Sequence, residues 1–255
     1  MDNYQQVTPK GLCTLPPMPS LPVAGITPLT TIDFPDRLAC VVFLQGCPLR
    51  CGYCHNPQMI KPRQAAPEEW SQVEDFLQRR QGLLEGVVIS GGEPTMHSGL
   101  VEALVRIKTL GFMTGLHTSG VYPRRLAEAL PYLDWVGLDV KGISTPNAQC
   151  RGHVDQVTGR KGLAEAFQAS LHLLTQSKVD LECRTTVHPR DFNEHSLDQL
   201  AHTLSEAEVT DWIIQAARHQ QCLDADYQKP AAPLALDPWC QRWRPCFNRL
   251  ELRRA

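Results

Sequence analysis

Three cysteines fall within one short run, Cys47-Pro48-Leu49-Arg50-Cys51-Gly52-Tyr53-Cys54. Thiolates spaced C-x3-C-x2-C can hold three corners of an iron–sulfur cube and leave the fourth iron without a protein ligand. An iron with an open position can bind a small molecule and act on it, whereas a cluster with four cysteine ligands is usually limited to passing electrons. The spacing also admits a zinc site. Zinc takes four ligands, and the fourth would come from His55, Cys40 or a distant thiol.

A second chemical signal is Ser90-Gly91-Gly92-Glu93-Pro94-Thr95. Paired glycines let the backbone approach a ligand closely and adopt strained dihedrals. The Glu93 carboxylate beside them is a natural partner for an ammonium group. Alone, such a run is equally a turn that ends a strand. The two runs together are more specific, because both follow an apolar strand candidate and so face the same rim.

The elements that position them read as alternating strands and helices. Strand candidates are residues 38–45, 86–90, 113–117, 135–140, 180–187 and 212–215, rich in Val, Ile, Leu and aromatics. Nearly continuous hydrophobicity of this kind suits parallel strands covered on both faces. Helical spacing recurs between them. Pro67 stands at a first helical position ahead of Glu68, Glu69, Trp70, Val73, Phe76 and Leu77, and Ser98 can cap a helix that Gly111 ends. Phe167, Leu171 and Leu174 mark a further helix, and Leu197, Leu200 and Leu204 another. Six βα units predict an α/β fold, a partial (β/α)6 parallel barrel open on one side, with the cysteine loop at its C-terminal face. Residues 1–24 read as an N-terminal tail, 25–218 as the core domain and 219–255 as an irregular C-terminal extension.

The cysteine run with Tyr53 before its last thiol, followed one strand later by Gly-Gly-Glu-Pro, resembles the radical S-adenosylmethionine (SAM) enzymes. The lead-in Thr31-Ile32-Asp33-Phe34-Pro35-Asp36-Arg37 and the continuation Cys54-His55-Asn56-Pro57 resemble the glycyl-radical-enzyme activating proteins. Ile26-Thr27-Pro28 and the run from Phe43 to Arg50 are most like the activating proteins of anaerobic ribonucleoside-triphosphate reductase. The resemblance implies a [4Fe–4S] cluster on Cys47, Cys51 and Cys54, with SAM on the open iron. It also implies that one electron splits the sulfonium to a 5′-deoxyadenosyl radical, which takes a hydrogen atom from a glycine of the reductase. Residue by residue, it places Tyr53 and His55 beside the adenine and Gly91, Gly92 and Glu93 at the methionine amino group. Asp139 and Lys141, in Asp139-Val140-Lys141, would contact SAM, and Arg184 would contribute from the fifth strand. A carboxylate suits ribose hydroxyls or the ammonium and a lysine suits the ligand carboxylate, although the same pair could be a salt bridge at a strand end. His117 departs from the pattern, since relatives often carry Asp there and a histidine does not replace an anionic partner.

Composition sets the limits. The chain has 255 residues, 42% hydrophobic and 20% charged, with a formal net charge of −2, as in a globular protein able to bury a core. There is no basic stripe for nucleic acid and no apolar run long enough for a bilayer. The polar N-terminus carries no signal-peptide pattern, which predicts a reducing, cytoplasmic setting in which the ten cysteines are thiols or metal ligands rather than disulfides. Cys40, Cys150 and Cys183 read as small buried hydrophobes. Cys222, Cys240 and Cys246 could at most form a second metal site, and Trp239 and Trp243 read as packing. The implied electron donor is a low-potential flavodoxin or ferredoxin.

Overall fold

The computed structural model describes residues 21–61, 69–143, 152–229 and 232–254. Among these described residues, eight strands form one sheet in sequential order: β1 (Val23–Thr30), β2 (Ala39–Leu44), β3 (Gly86–Gly91), β4 (Met113–Thr118), β5 (Trp135–Asp139), β6 (Asp180–Val187), β7 (Asp211–Ala216) and β8 (Arg249–Arg253). β1 runs antiparallel to β2, and each later pair is parallel. The six predicted strands are β2 to β7. The sheet stays open, with β1 and β8 at its edges.

The helices are α1 (Trp70–Gln78), α2 (Leu100–Thr109), α3 (Pro123–Ala129), α4 (His153–Thr158), α5 (Ala164–Thr175), α6 (Glu194–Glu206) and α7 (Leu236–Trp243). Their apolar stripes bury Val73 and Leu77, Leu104 and Ile107, Phe167 and Leu174, and Leu200 and Leu204 in one large core. The strands join that core through alternate residues: Cys40, Val42 and Leu44 of β2, Val87 and Ile89 of β3, Val136 and Leu138 of β5, Trp212 and Ile214 of β7. The intervening residues point to the other face. There Ala39, Val41, Val88 and Trp135 form a second, smaller core around Phe34, whose ring stacks on Trp135 at 5.6 Å. Period-two alternation thus places Ser90, His117, Asp139, Arg184, Thr186 and Gln215 on that second face, toward the C-terminal ends of the strands.

Three expectations are corrected. The segment after residue 218 is not irregular throughout: α7 packs on β8, which is the eighth strand of the same sheet. Trp239 of α7 meets the buried Trp212 edge-on at 5.6 Å, and the indole N–H groups of Trp239 and Trp243 both donate to Asp198 Oδ1 at 2.8 Å. The N-terminal boundary also moves, because β1 starts at Val23. Finally, α2 is capped at Gly99 without a side-chain bond, so Ser98 is not its cap, whereas Gly111 does end the helix with a positive φ of 88°. Pro67, Glu68, Cys13 and Cys150 lie outside the described residues. Among the described residues no helix is long and apolar enough to cross a membrane.

Candidate active site

The cysteine loop leaves the end of β2 and is held mostly by backbone. Gly46 N–H donates to Met59 O at 2.7 Å, Cys47 N–H to Ile60 O at 3.1 Å, and Arg50 N–H to Thr158 O at 2.8 Å. The buried Gln45 side chain donates to Gln58 O and Lys61 O, closing the return of the loop. Cys47, Cys51 and Cys54 are free thiols lining one cavity of about 250 Å³. Burial pushes the Cys47 thiol up to about 11 and raises that of Cys51. A coordinated metal would draw such thiols to thiolates. Among the described residues no three His, Cys, Asp or Glu side chains converge as ligands for a single ion, whereas a zinc site needs its ligands around one point. Three free thiols lining one cavity fit a cluster held at three corners.

The loop after β3 is locked to the cysteine loop. Gly92 N–H donates to Leu44 O and Glu93 N–H to Gly46 O, both at 2.9 Å. A Cβ at Gly91 would stand 2.2 Å from Leu44 O, and one at Gly92 2.0 Å from Gly46 O, with Gly91 at φ +117°. Both positions therefore require glycine for the approach of the two loops, and both line the cavity.

Glu93 is turned elsewhere. Its carboxylate is wholly buried and accepts from Thr95 N at 3.1 Å, Thr95 Oγ1 at 2.5 Å, Thr118 Oγ1 at 2.7 Å and Ser119 N at 2.8 Å, as well as from Ser119 Oγ. It joins the loops after β3 and β4 and does not line the cavity. Sequence reasoning put this carboxylate at a ligand ammonium; the structure gives it to hydroxyls and backbone N–H groups.

Asp139 and Lys141 do line the cavity, with Lys141 Nζ 3.1 Å from Asp139 Oδ2 and 5.8 Å from the centre of the Tyr53 ring. Burial opposes both charges. Lys141, with Arg184 and His117 beyond it, nevertheless holds the Asp139 carboxyl below the usual range, and Asp139, then Tyr53 and Cys51, hold the Lys141 ammonium well above its own. Tyr53 and His55 complete the predicted residues at the cavity, and His117, the departure from the family pattern, also lines it.

Arg184 lies beyond the lining residues. Its Nε donates to Glu182 Oε1 at 2.5 Å, its guanidinium sits 5.1 Å from the Trp135 ring, and its Nη1 lies 3.0 Å from His117 Nε2. His117 Nε2 lies between the Arg184 guanidinium, which only donates, and Asp33 O, which only accepts, at 3.2 Å, while its Nδ1 is 3.2 Å from Ser90 Oγ. Burial, and then Arg184, lower the His117 pKa to about 4, which leaves the ring neutral at pH 7.

Sequence reasoning missed Thr118, Ser119, Thr186 and Gln215, which also line the cavity. Their signal was a polar residue closing an otherwise apolar strand. It also missed a strap from the C-terminal segment. Leu223 N–H donates to Cys54 O at 3.0 Å and Asp224 N–H to Gly52 O at 3.1 Å, and the Tyr227 hydroxyl donates to Asp191 Oδ1 at 2.5 Å. Cys40, Cys183, Cys222 and Cys240 are buried and Cys246 is exposed.

Comparison with known proteins identifies the family. The profile of the Radical SAM superfamily matches residues 41–204. A chain of Methanocaldococcus jannaschii named as a candidate glycyl-radical enzyme activating enzyme is 29% identical over 219 residues, covering 83% of this chain and 86% of its own. The pyruvate formate-lyase-activating enzyme of Clostridium pasteurianum is 32% identical over 136 residues, covering 50% of this chain and 56% of its own. Among solved structures, QueE from Escherichia coli superposes with a TM-score of 0.56 at 20% identity, covering 92% of this chain and 94% of its own. Streptococcus suis SuiB bound to S-adenosylmethionine superposes with a TM-score of 0.58 at 14% identity, covering 83% of this chain and 48% of its own, so this chain spans about half of SuiB. At these identities the structural matches speak for the fold. The chain belongs to the radical SAM superfamily, enzymes that work with a [4Fe–4S] cluster and S-adenosylmethionine.

Proposed function

We propose that this enzyme installs a glycyl radical on an anaerobic (class III) ribonucleoside-triphosphate reductase. The observation that carries the reading is the meeting of three free thiols with Gly91, Gly92, Asp139 and Lys141 around one cavity. The similarity to glycyl-radical-enzyme activating enzymes supports the reaction class.

Cys47, Cys51 and Cys54 would hold the [4Fe–4S] cluster. When bound, the cluster supplies one electron that splits S-adenosylmethionine into methionine and a 5′-deoxyadenosyl radical, which abstracts a hydrogen atom from glycine. The chain's own residues bind and orient. The Gly91 and Gly92 backbone would receive the methionine ammonium, while the Glu93 side chain fixes the loop that presents it. Lys141 offers its ammonium to the ligand carboxylate, and Asp139 offers acceptors to hydroxyls or the ammonium. Tyr53 and His55 supply surfaces beside the adenine. The neutral His117, steadied by Arg184, adds no charge to the cavity. None of these groups need act as a general base, and their shared work is positioning and exclusion of water.

The partner would present its glycine loop at the open side of the sheet, and a low-potential flavodoxin or ferredoxin would deliver the electron. The test is an oxygen-free mixture of reconstituted enzyme, reductant, S-adenosylmethionine and the reductase, examined by electron paramagnetic resonance. A glycyl radical signal that needs all four is expected. Cleavage of S-adenosylmethionine without that signal, together with radical formation on a different glycyl radical enzyme or turnover of a small molecule, would redirect the reading to that substrate.

A further inference from the structure

The protein's net charge is −2, yet the loop that carries the thiols is rimmed by exposed cations: Arg50, Lys61, Arg160, Lys161 and Arg218. Each is tied to that loop through the backbone. Arg50 lies within it, and its Nη1 donates to Cys47 O at 3.0 Å. Lys61 follows Ile60, whose carbonyl accepts from Cys47 N–H. Arg160 and Lys161 follow Gly159, which packs so closely on Arg50 that a Cβ there would stand 2.9 Å from Arg50 O. Arg218 O accepts from Cys222 Sγ at 3.3 Å, beside the Leu223 N–H that binds Cys54 O.

Among the described residues none of the five cations lies within ion-pair distance of a carboxylate. Two of the acids near them in the chain are engaged with backbone: Asp155 accepts from Gly162 N and Leu163 N, and Asp224 from Asp226 N. None of the five lines the cavity. The positive rim therefore lies beside the thiol loop and outside the cavity that Thr186 and Gln215 line.

We infer that this rim is the docking surface for a small acidic one-electron carrier protein. The inference rests on the functional reading above, which requires an electron to reach a centre on these thiols. At docking, one electron leaves the reduced centre of the carrier and reduces the cluster by one equivalent, and no bond forms or breaks between the proteins. A carrier must approach the thiol loop closely to deliver it. A rim of unpaired cations attracts an acidic carrier to this face. Complementary charge of this kind steers association and fixes orientation, and it is weakened by salt.

The test uses the reconstituted full chain and the double variant Arg160→Glu with Lys161→Glu, two exposed residues outside the binding machinery. Arg79→Glu, at the far end of α1, is the charge control. Binding of oxidised flavodoxin, and in a second arm of ferredoxin, is measured against ionic strength. Cluster reduction is timed with each reduced carrier and with titanium(III) citrate. The rim predicts that the double variant loses about tenfold in carrier binding and carrier-driven reduction at low salt. It also predicts that Arg160→Gln with Lys161→Gln falls between, that Arg79→Glu matches wild type, and that the titanium rate is unchanged.

Wild-type carrier binding in both double variants overturns the inference. So does an equal loss in Arg79→Glu, or a loss confined to binding of the reductase. The functional reading fails separately, if the wild type does not cleave S-adenosylmethionine with titanium(III) citrate.

Discussion

The ring of Tyr227 occupies the space that a side chain at Gly52 would need: a Cβ built there would lie 2.2 Å from Tyr227 Cε2. Gly52 sits between two of the thiols, and its carbonyl accepts from Asp224 N–H in the same strap. The C-terminal segment thus sets the shape of the cysteine loop. Gly52→Ala should therefore displace the loop at a cost of about 1–3 kcal/mol, typical of overpacking. Iron bound after anaerobic reconstitution should fall well below half of wild type, and Tyr227→Ala in the same chain should recover part of it. Wild-type iron content in Gly52→Ala would show that the strap does not shape the loop.

Glu93→Gln tests the carboxylate that ties two loops. One oxygen accepts from Thr95 N–H and the other from Ser119 N–H. Whichever way a glutamine amide is placed, its NH2 meets one of these backbone donors, which cannot turn to accept. One buried donor is left unpaired, at a cost of about 1–3 kcal/mol. The midpoint of denaturant unfolding should fall accordingly, and KM for S-adenosylmethionine should rise although this side chain does not line the cavity. An unchanged midpoint would mean that the two loops are held by other contacts.

His117 predicts a pH dependence of stability. Burial and Arg184 lower its folded pKa to about 4, below the unfolded value of roughly 6.5. Between these values the unfolded chain binds the extra proton, so stability falls as pH drops through that window. The full effect of this one group is at most about 3 kcal/mol. Other histidines shifted the same way, among them His153 and His188, add to the slope. The contribution of His117 is therefore read as the difference between wild type and His117→Gln, whose stability should fall less between pH 7 and pH 4. Parallel curves would contradict a half-buried, neutral His117.

Much of the site was legible in the sequence because its chemistry sits in side chains with few other uses: three thiols at cluster spacing, paired glycines and an Asp-x-Lys at a strand end. Direction was not legible. Glu93 and Lys141 both read as ligand contacts, but only the fold shows Glu93 turned into a shell of hydroxyls while Lys141 faces the cavity. Thr186 and Gln215 were hidden because an uncharged polar residue at a strand end is common. Period-two alternation on the second face of the sheet is what selects them. The edge strands escaped for a physical reason. Gly25 and Pro28 interrupt β1, and β8 reads Arg-Leu-Glu-Leu-Arg, the charged pattern of an exposed edge rather than a buried parallel strand. The strap over Gly52 is a single short 3-10 turn, Ala225–Gln228, too brief to show a hydrophobic period, so no local pattern announced it.

The central claim is a cluster held at three corners whose remaining iron takes S-adenosylmethionine. The most direct measurement is the electron paramagnetic resonance spectrum of the reduced, anaerobically reconstituted protein, recorded with and without S-adenosylmethionine, beside Cys51→Ala. The account predicts a [4Fe–4S] signal whose shape changes when S-adenosylmethionine is added, and its loss in Cys51→Ala. A spectrum indifferent to S-adenosylmethionine, or a [4Fe–4S] signal that survives Cys51→Ala, would contradict it.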